Sequence, residues 1–268
     1  MGIEQGLFRR TELLLGDELM DRIAAQKVII LGLGGVGSWC AESLVRSGVR
    51  SLTLVDSDRI CVTNINRQLM ATVKTVGEVK VEALKRRLLE INPSACIDAL
   101  QMIYSKETCE SLQLDSYDYI IDAIDSLEHK VHLIQTATGT HAGFFSSMGA
   151  ALKMDPSRIR VAEFWKVTGC PLGAALRHKV RKSGLMPAKQ FLCVYSDELL
   201  ANRGRNNSCG TERCLCPKSI SAPGDPELIN HEWCSLKAQI NGTIAHTTAI
   251  FGFTLAGLVM QAITCEDF

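Results

Sequence analysis

The chain has 268 residues, 46% hydrophobic and 22% charged, with 29 Lys and Arg against 29 Asp and Glu. This is the composition of a soluble globular protein long enough to bury a large core, and a net charge of zero points to no partner. No charged stretch followed by an apolar run stands near the start, so no secretory leader is expected, and the 11 cysteines are expected as reduced thiols in a cytoplasmic protein.

Val28–Leu31 is a short apolar run ending in glycines, the pattern of a buried parallel strand. A helix is expected over Val36–Ser47, closed by Gly48. Between the two, Gly32, Gly34 and Gly37 match G-x-G-x-x-G. Glycines there let the backbone approach phosphate, and the helix start turns N–H groups toward it. Alone, the motif says only that a nucleotide can sit on a βα turn. No G-x-x-x-x-G-K-[ST] is present, which excludes a P-loop.

A second strand over Leu52–Val55 ends on Asp56, where a carboxylate can accept hydrogen bonds from ribose hydroxyls. To this point a dinucleotide fold fits equally well. The next stretch departs from it. Asn64, Asn66, Arg67 and Gln68 cluster within five positions, and Lys80 follows on a helix expected over Val76–Ile91, stopped by Asn92-Pro93. Hydride transfer has little use for such cations, whereas charge builds on phosphoryl oxygens when an oxyanion attacks the α-phosphorus of a triphosphate. The bland alternative is a pair of solvated surface cations.

Strands are expected over Cys96–Ile103 and Tyr119–Ile121, then a helix over Ser126–Ala137. Asp122 and Asp125 stand between. A carboxylate at that strand end can hold magnesium, which bridges phosphate oxygens. The alternative is a helix cap. Asp125 is read as the magnesium carboxylate, and Asp122 stays open between the two. Strands alternating with helices predict an α/β, doubly wound, mostly parallel sheet of Rossmann-like type, with all three motifs beyond strand carboxyl ends.

After Ser146 the alternation weakens. Strands are expected over Met148–Leu152 and Ile159–Phe164, a basic helix over Leu172–Lys182 and a strand over Phe191–Tyr195, giving a C-terminal antiparallel extension. Residues 202–226 are rich in Gly, Asn, Ser, Cys and Pro and read as a long cysteine-containing loop. Ile244–Ile263 has nearly the length of a membrane span but is interrupted by His246, Gly252 and Gly257. A buried core or interface helix is expected there, with no stable membrane insertion. Residues 1–268 are expected to form a single domain.

From Lys153 to Lys218, 13 Lys and Arg stand against 5 Asp and Glu. Arg158, Arg160 and Lys166, then Arg177, Lys179, Arg181 and Lys182, and last Lys189, make a strip that suits a phosphate backbone or, alternatively, is a solvated face. Cys209, Cys214, Cys216 and Cys234 follow the spacing C-x4-C-x-C-x17-C. Three thiols in eight residues can hold zinc or an iron–sulfur cluster, with Cys234 as fourth ligand, but the spacing fits no strong signature. Free thiols in a crossover loop, or Cys234 as a thioester-forming nucleophile, are the other readings.

GLGGVGS, DSD, TNINRQ, Lys80 and DAIDS resemble the ubiquitin-activating-enzyme-like adenylyltransferases over most of the first 150 residues. Within that group FRRTELLLG, RICVTNINRQ, YIIDAIDS and TAIFGFTLAG are similar to the tRNA threonylcarbamoyladenosine dehydratases over nearly the whole chain. The resemblance implies a homodimer that uses ATP and magnesium to form an acyl-adenylate on tRNA carrying threonylcarbamoyladenosine. Gly35 and Asp56 would bind the nucleotide, with Gly32, Gly34, Gly37, Asp58, Gln68 and Ser126 in the same site. Asn64, Arg67 and Lys80 would contact phosphates, Asp125 would hold magnesium, and Arg10 would be lent by the partner subunit. A monovalent cation or zinc is a further cofactor candidate, and a sulfur-transfer protein a further partner. No nucleophilic cysteine is needed, because the second attack is intramolecular. The main alternative is an adenylyltransferase for a ubiquitin-like sulfur carrier, against which the missing C-x-x-C pairs and the basic strip both count. A scaffold that has lost catalysis and an NAD-dependent oxidoreductase are the remaining readings.

Overall fold

The computed structural model describes residues 6–204 and 241–265. Strands β1 (Lys27–Leu31), β2 (Ser51–Val55), β3 (Cys96–Leu100), β4 (Tyr119–Asp122), β5 (Gly143–Ser147), β6 (Ile159–Glu163) and β7 (Leu192–Ser196) form one sheet in the order β3-β2-β1-β4-β5-β7-β6. All neighbours are parallel except β6 and β7, which are antiparallel. The expected doubly wound sheet with an antiparallel extension is therefore what the chain forms.

The helices are α1 (Arg9–Leu15), α2 (Asp17–Ala25), α3 (Gly37–Arg46), α4 (Lys80–Ile91), α5 (Leu127–Ala137), α6 (Pro171–Ser183) and α7 (Ala245–Thr264). Strand residues alternate between two apolar layers. Val28 and Ile30 of β1 pack with Leu44 of α3, Leu84 of α4 and Phe251 of α7. Ile29 and Leu31 face the other way, with Leu133 of α5 and Leu176 of α6. Covering both faces is why the strands read as continuous apolar runs.

Helix α7 is long and apolar enough to cross a membrane by composition. Here Phe251, Leu255 and Val259 are buried in the core it shares with α3. A Cβ on Gly252 would come within 2.5 Å of the Val36 carbonyl oxygen, so glycine lets α7 meet the turn that opens α3.

Three boundaries differ from expectation. Met148–Leu152 is not a strand; β5 lies just upstream at Gly143–Ser147. Its sequence, GFFSS, lacks a β-branched run, and its place is decided by β4 and β7 on either side. The helix expected from Val76 begins at Lys80, because Val79 is extended and bridges to Arg59 while the Lys80 N–H donates to the Asp58 carbonyl. Strand β3 stops at Leu100. The short helices α1 and α2 are additions to the expected elements: α1 buries no residue, and α2, although amphipathic, is only nine residues long and buries only Ile23.

Candidate active site

The chain runs outward from β1 through β2 to β3, then returns to the other flank of β1 for β4. The carboxyl ends of β1 and β4 thus frame the crevice where such sheets bind ligands. The three glycines at its floor do different things. Gly32 has φ +90, and a Cβ on it would lie 2.6 Å from the Ala123 carbonyl oxygen. A Cβ on Gly37 would lie 1.9 Å from the Gly32 carbonyl oxygen. Both are required by close packing. At Gly34 a Cβ would meet nothing within 4 Å, so this stretch of backbone is open for a phosphate to approach. Gly35 is backed by Thr248 of α7.

Asp56 secures this turn to the next element. Its Oδ2 accepts from the Leu33 N–H at 2.7 Å and its Oδ1 from the Asp58 N–H at 2.9 Å. Lys80, the first residue of α4, turns back toward the same carboxylates. Its Nζ lies 2.6 Å from Asp58 Oδ2 and 3.6 Å from Asp56 Oδ1. Burial alone would depress the ammonium pKa, but Asp56 and Asp58, helped by Asp125, outweigh it and hold the pKa above the ordinary lysine value. Lys80 is therefore an enclosed cation whose charge the neighbouring aspartates favour, not a solvated surface lysine.

The Asn64–Gln68 segment is held from two sides. Asn64 Oδ1 accepts from the Cys61 N–H, and the Trp39 indole N–H donates to the Arg67 carbonyl at 3.0 Å. Ser38 Oγ donates to the Gly34 carbonyl and accepts from the Leu69 N–H. The first turn of α3 thereby ties the glycine turn to the arginine segment. Arg67 Nη1 donates to the Thr63 carbonyl and to Asn66 Oδ1, while Asn66 Nδ2 donates to the Thr243 carbonyl just before α7. Gln68 is buried with its Oε1 unpartnered among the described residues.

Beyond β4, two aspartates three residues apart have different surroundings. Asp122 is sealed: its Oδ2 lies 2.8 Å from Lys130 Nζ, both side chains being 0% exposed. Ser146 Oγ donates to the same oxygen, and Asp122 Oδ1 accepts from the Ile124 N–H. Lys130 Nζ also donates to the Ile124 carbonyl. The pair grips Ile124 by both backbone groups, neither capping the helix nor facing the crevice. Asp125, the next residue, is exposed and close enough to raise the Lys80 pKa. Ser126 is buried at the start of α5 and makes no side-chain cap.

Arg10 lies elsewhere. With Leu14 of α1, Ser47 and Gln261 it lines a shallow groove at the far end of α3 from the glycine turn. A ten-residue helix separates the two, about 15 Å. Cys209, Cys214, Cys216 and Cys234 fall outside the described residues.

The basic strip divides. Arg158 and Arg160 pair with Asp197, and Lys189 donates to the Thr140 and Ala142 carbonyls. Arg177 donates to the Phe164 carbonyl. Lys166, Lys179, Arg181 and Lys182 are exposed and in no ion pair among the described residues.

Sequence reasoning passed over Lys130, Ser38 and Trp39. Lys130 had a signal: it shares the apolar stripe of α5 with Ile134 and Ala137, at i, i+4 and i+7, where a lysine needs a buried partner.

Residues 8–267 match the ThiF family. The chain is 42% identical over 191 residues to the tRNA threonylcarbamoyladenosine dehydratase of Bacillus subtilis (strain 168), covering 71% of this chain and 74% of that protein. A molybdopterin-synthase adenylyltransferase of Haemophilus influenzae is 29% identical over 135 residues, covering 50% of this chain and 54% of that one. Among solved structures, the E. coli tRNA N6-threonylcarbamoyladenosine dehydratase in complex with ATP matches with a TM-score of 0.78 and 27% identity, covering 97% of this chain and 94% of that one.

Proposed function

The chain belongs to the ThiF family, and we propose that it is an ATP-dependent enzyme that dehydrates and cyclises N6-threonylcarbamoyladenosine in tRNA. Lys80 carries the assignment: an enclosed cation between two aspartates, beside an open glycine turn, suits a triphosphate and not a nicotinamide. The relatives named for this reaction, and the ATP complex of one of them, support it.

In the first step a threonyl carboxylate oxygen attacks the α-phosphorus of ATP, and the bond to pyrophosphate breaks. In the second, a neighbouring atom of the same side chain attacks the acyl carbon and gives up its proton. AMP leaves with the carboxylate oxygen, so the nucleoside loses the elements of water. Both attacks need negative charge on the phosphates to be neutralised. Lys80 supplies a fixed positive charge, Arg67 a second, and the start of α3 its N–H groups. Asp58, with a side chain 36% exposed, is the partner that can release Lys80 toward a ligand. Exclusion of water protects the acyl-adenylate from hydrolysis.

Asp125 suits magnesium as a single exposed hard oxygen donor within electrostatic reach of Lys80; the described residues form no cluster of three such donors, so phosphates and water would supply the other ligands. Bound there, the ion would neutralise charge on phosphate oxygens. The far placement of Arg10 supports its use in the site of a second subunit. Leu13 and Leu14 of α1 are 71% and 81% exposed beside it, an apolar surface suited to a partner copy. The enzyme would then act as a homodimer, with Arg10 completing the partner's site.

The test is nucleoside analysis of tRNA carrying threonylcarbamoyladenosine after incubation with enzyme and ATP. A nucleoside lighter by one water is expected. An unchanged nucleoside, with the enzyme folded and ATP bound, would refute the assignment.

A further inference from the structure

We propose that the outward face of α6, in its C-terminal half, together with Lys166 is a docking surface for the tRNA phosphate backbone, set well away from the reacting nucleoside. The proposal rests on the tRNA substrate assigned above. It starts from which cations of the basic strip remain available.

Four of the eight are occupied within the protein: Arg158, Arg160, Arg177 and Lys189. The other four are exposed: Lys179, Arg181 and Lys182 spread around the outer side of the last turns of α6, with Lys182 between the other two, and Lys166 stands on the turn that Arg181 reaches. Arg181 is held with its Cζ 4.9 Å from the ring centre of Trp165, and Lys166 follows that tryptophan directly. The indole fixes the guanidinium without neutralising it. Helix α6 contains no acidic residue. Glu163, the acid next to this turn, has an oxygen engaged by the Trp165 N–H at 2.8 Å. The result is a positive outer surface in which one cation, Arg181, is held in advance, and it suits a polyanion.

Its position follows from the helices. Gln135 Nε2, near the end of α5, donates to Ser183 Oγ at 2.9 Å and to the Leu185 carbonyl at 3.1 Å. The end of α6 therefore lies level with the end of α5. Ser126, beside the magnesium carboxylate, is nine residues back along α5, about 14 Å away. A tRNA with its modified adenosine at Lys80 and Asp125 would meet this surface with phosphates several nucleotides distant. Such interactions hold substrate and transition state equally, so they act on KM and not on kcat.

The test compares K179A/K182A with the wild-type protein in tRNA binding, by fluorescence anisotropy across a salt series. Each phosphate deprived of its lysine should lower the slope of log affinity against log salt by about one, so a drop of about two is expected, with affinity weakened at least tenfold at low salt. Stabilisation by ATP should not change, and neither should kcat at saturating tRNA. K85A, on α4 across the sheet, serves as a control that should keep the wild-type slope. A short oligonucleotide that carries the modified adenosine but cannot reach α6 should bind both proteins alike. Equal affinity and slope in K179A/K182A and wild type would overturn the docking surface even if AMP is released normally. Weakened binding without any AMP release would keep the surface and remove the activity instead.

Discussion

Lys80 and Lys130 are both enclosed, both paired with aspartates and both placed beyond strand carboxyl ends, yet their surroundings differ. Lys130 and Asp122 are each 0% exposed. Lys80 is 5% exposed, but its nearer partner Asp58 is 36% exposed and reaches solvent. A sealed pair cannot be rearranged by a ligand, so Lys130–Asp122 acts on the fold and on the backbone of Ile124. A pair with one wet partner can exchange that partner for phosphate. The same two residue types therefore yield a structural clamp in one place and a catalytic cation in the other, and solvent access to the carboxylate separates them.

The comparison can be broken most directly at the sealed pair. Lys130→Met strands the Asp122 charge in the core and should cost about 3–5 kcal/mol in urea unfolding. Adding Asp122→Asn should recover much of that, since no buried charge remains. A single variant as stable as wild type would show that the pair clamps nothing. At the open pair the loss should move from stability to turnover. Lys80→Ala should lower AMP formation about 10²–10³-fold, by analogy with removal of one oxyanion donor, with a smaller stability loss than Lys130→Met. Asp125→Ala should abolish turnover and lower the unfolding midpoint only slightly, because the carboxylate is exposed and its attraction to Lys80 is a minor one. Full activity in that variant would remove the magnesium role. A smaller effect is expected from Trp39→Phe, which loses one hydrogen bond to the Arg67 carbonyl, about 0.5–1.5 kcal/mol, and should reduce kcat several-fold.

The smallest effect concerns pH. The folded pKa of Lys80 lies above the ordinary lysine value of about 10.4. Its contribution to stability is complete below that ordinary value and is lost only as pH rises through the folded pKa. Stability curves of wild type and Lys80→Ala should therefore run parallel from about pH 7 to 9. Divergence there would mean that Lys80 is not held charged.

The glycine turn, Asp56 and Lys80 were legible because each depends on local pattern: an apolar run, a fixed glycine spacing, a cation at a helix start. Strand β5 was not, since Gly143 is needed for an approach from outside the sequence neighbourhood: a Cβ there would lie 2.6 Å from the Tyr119 ring. The basic strip was legible as composition but not as a surface. Arg158 is neutralised by Asp197, 39 positions away, and no local pattern reports that. Asp122 stayed ambiguous for the same reason, as its partners come from α5 and β5.

The most direct test of the central claim is AMP and pyrophosphate release from ATP, measured separately with tRNA carrying threonylcarbamoyladenosine and with a sulfur-carrier protein ending in Gly-Gly. Release with the tRNA alone is the predicted result. Release with the carrier alone would contradict the claim and move the protein to sulfur-carrier activation.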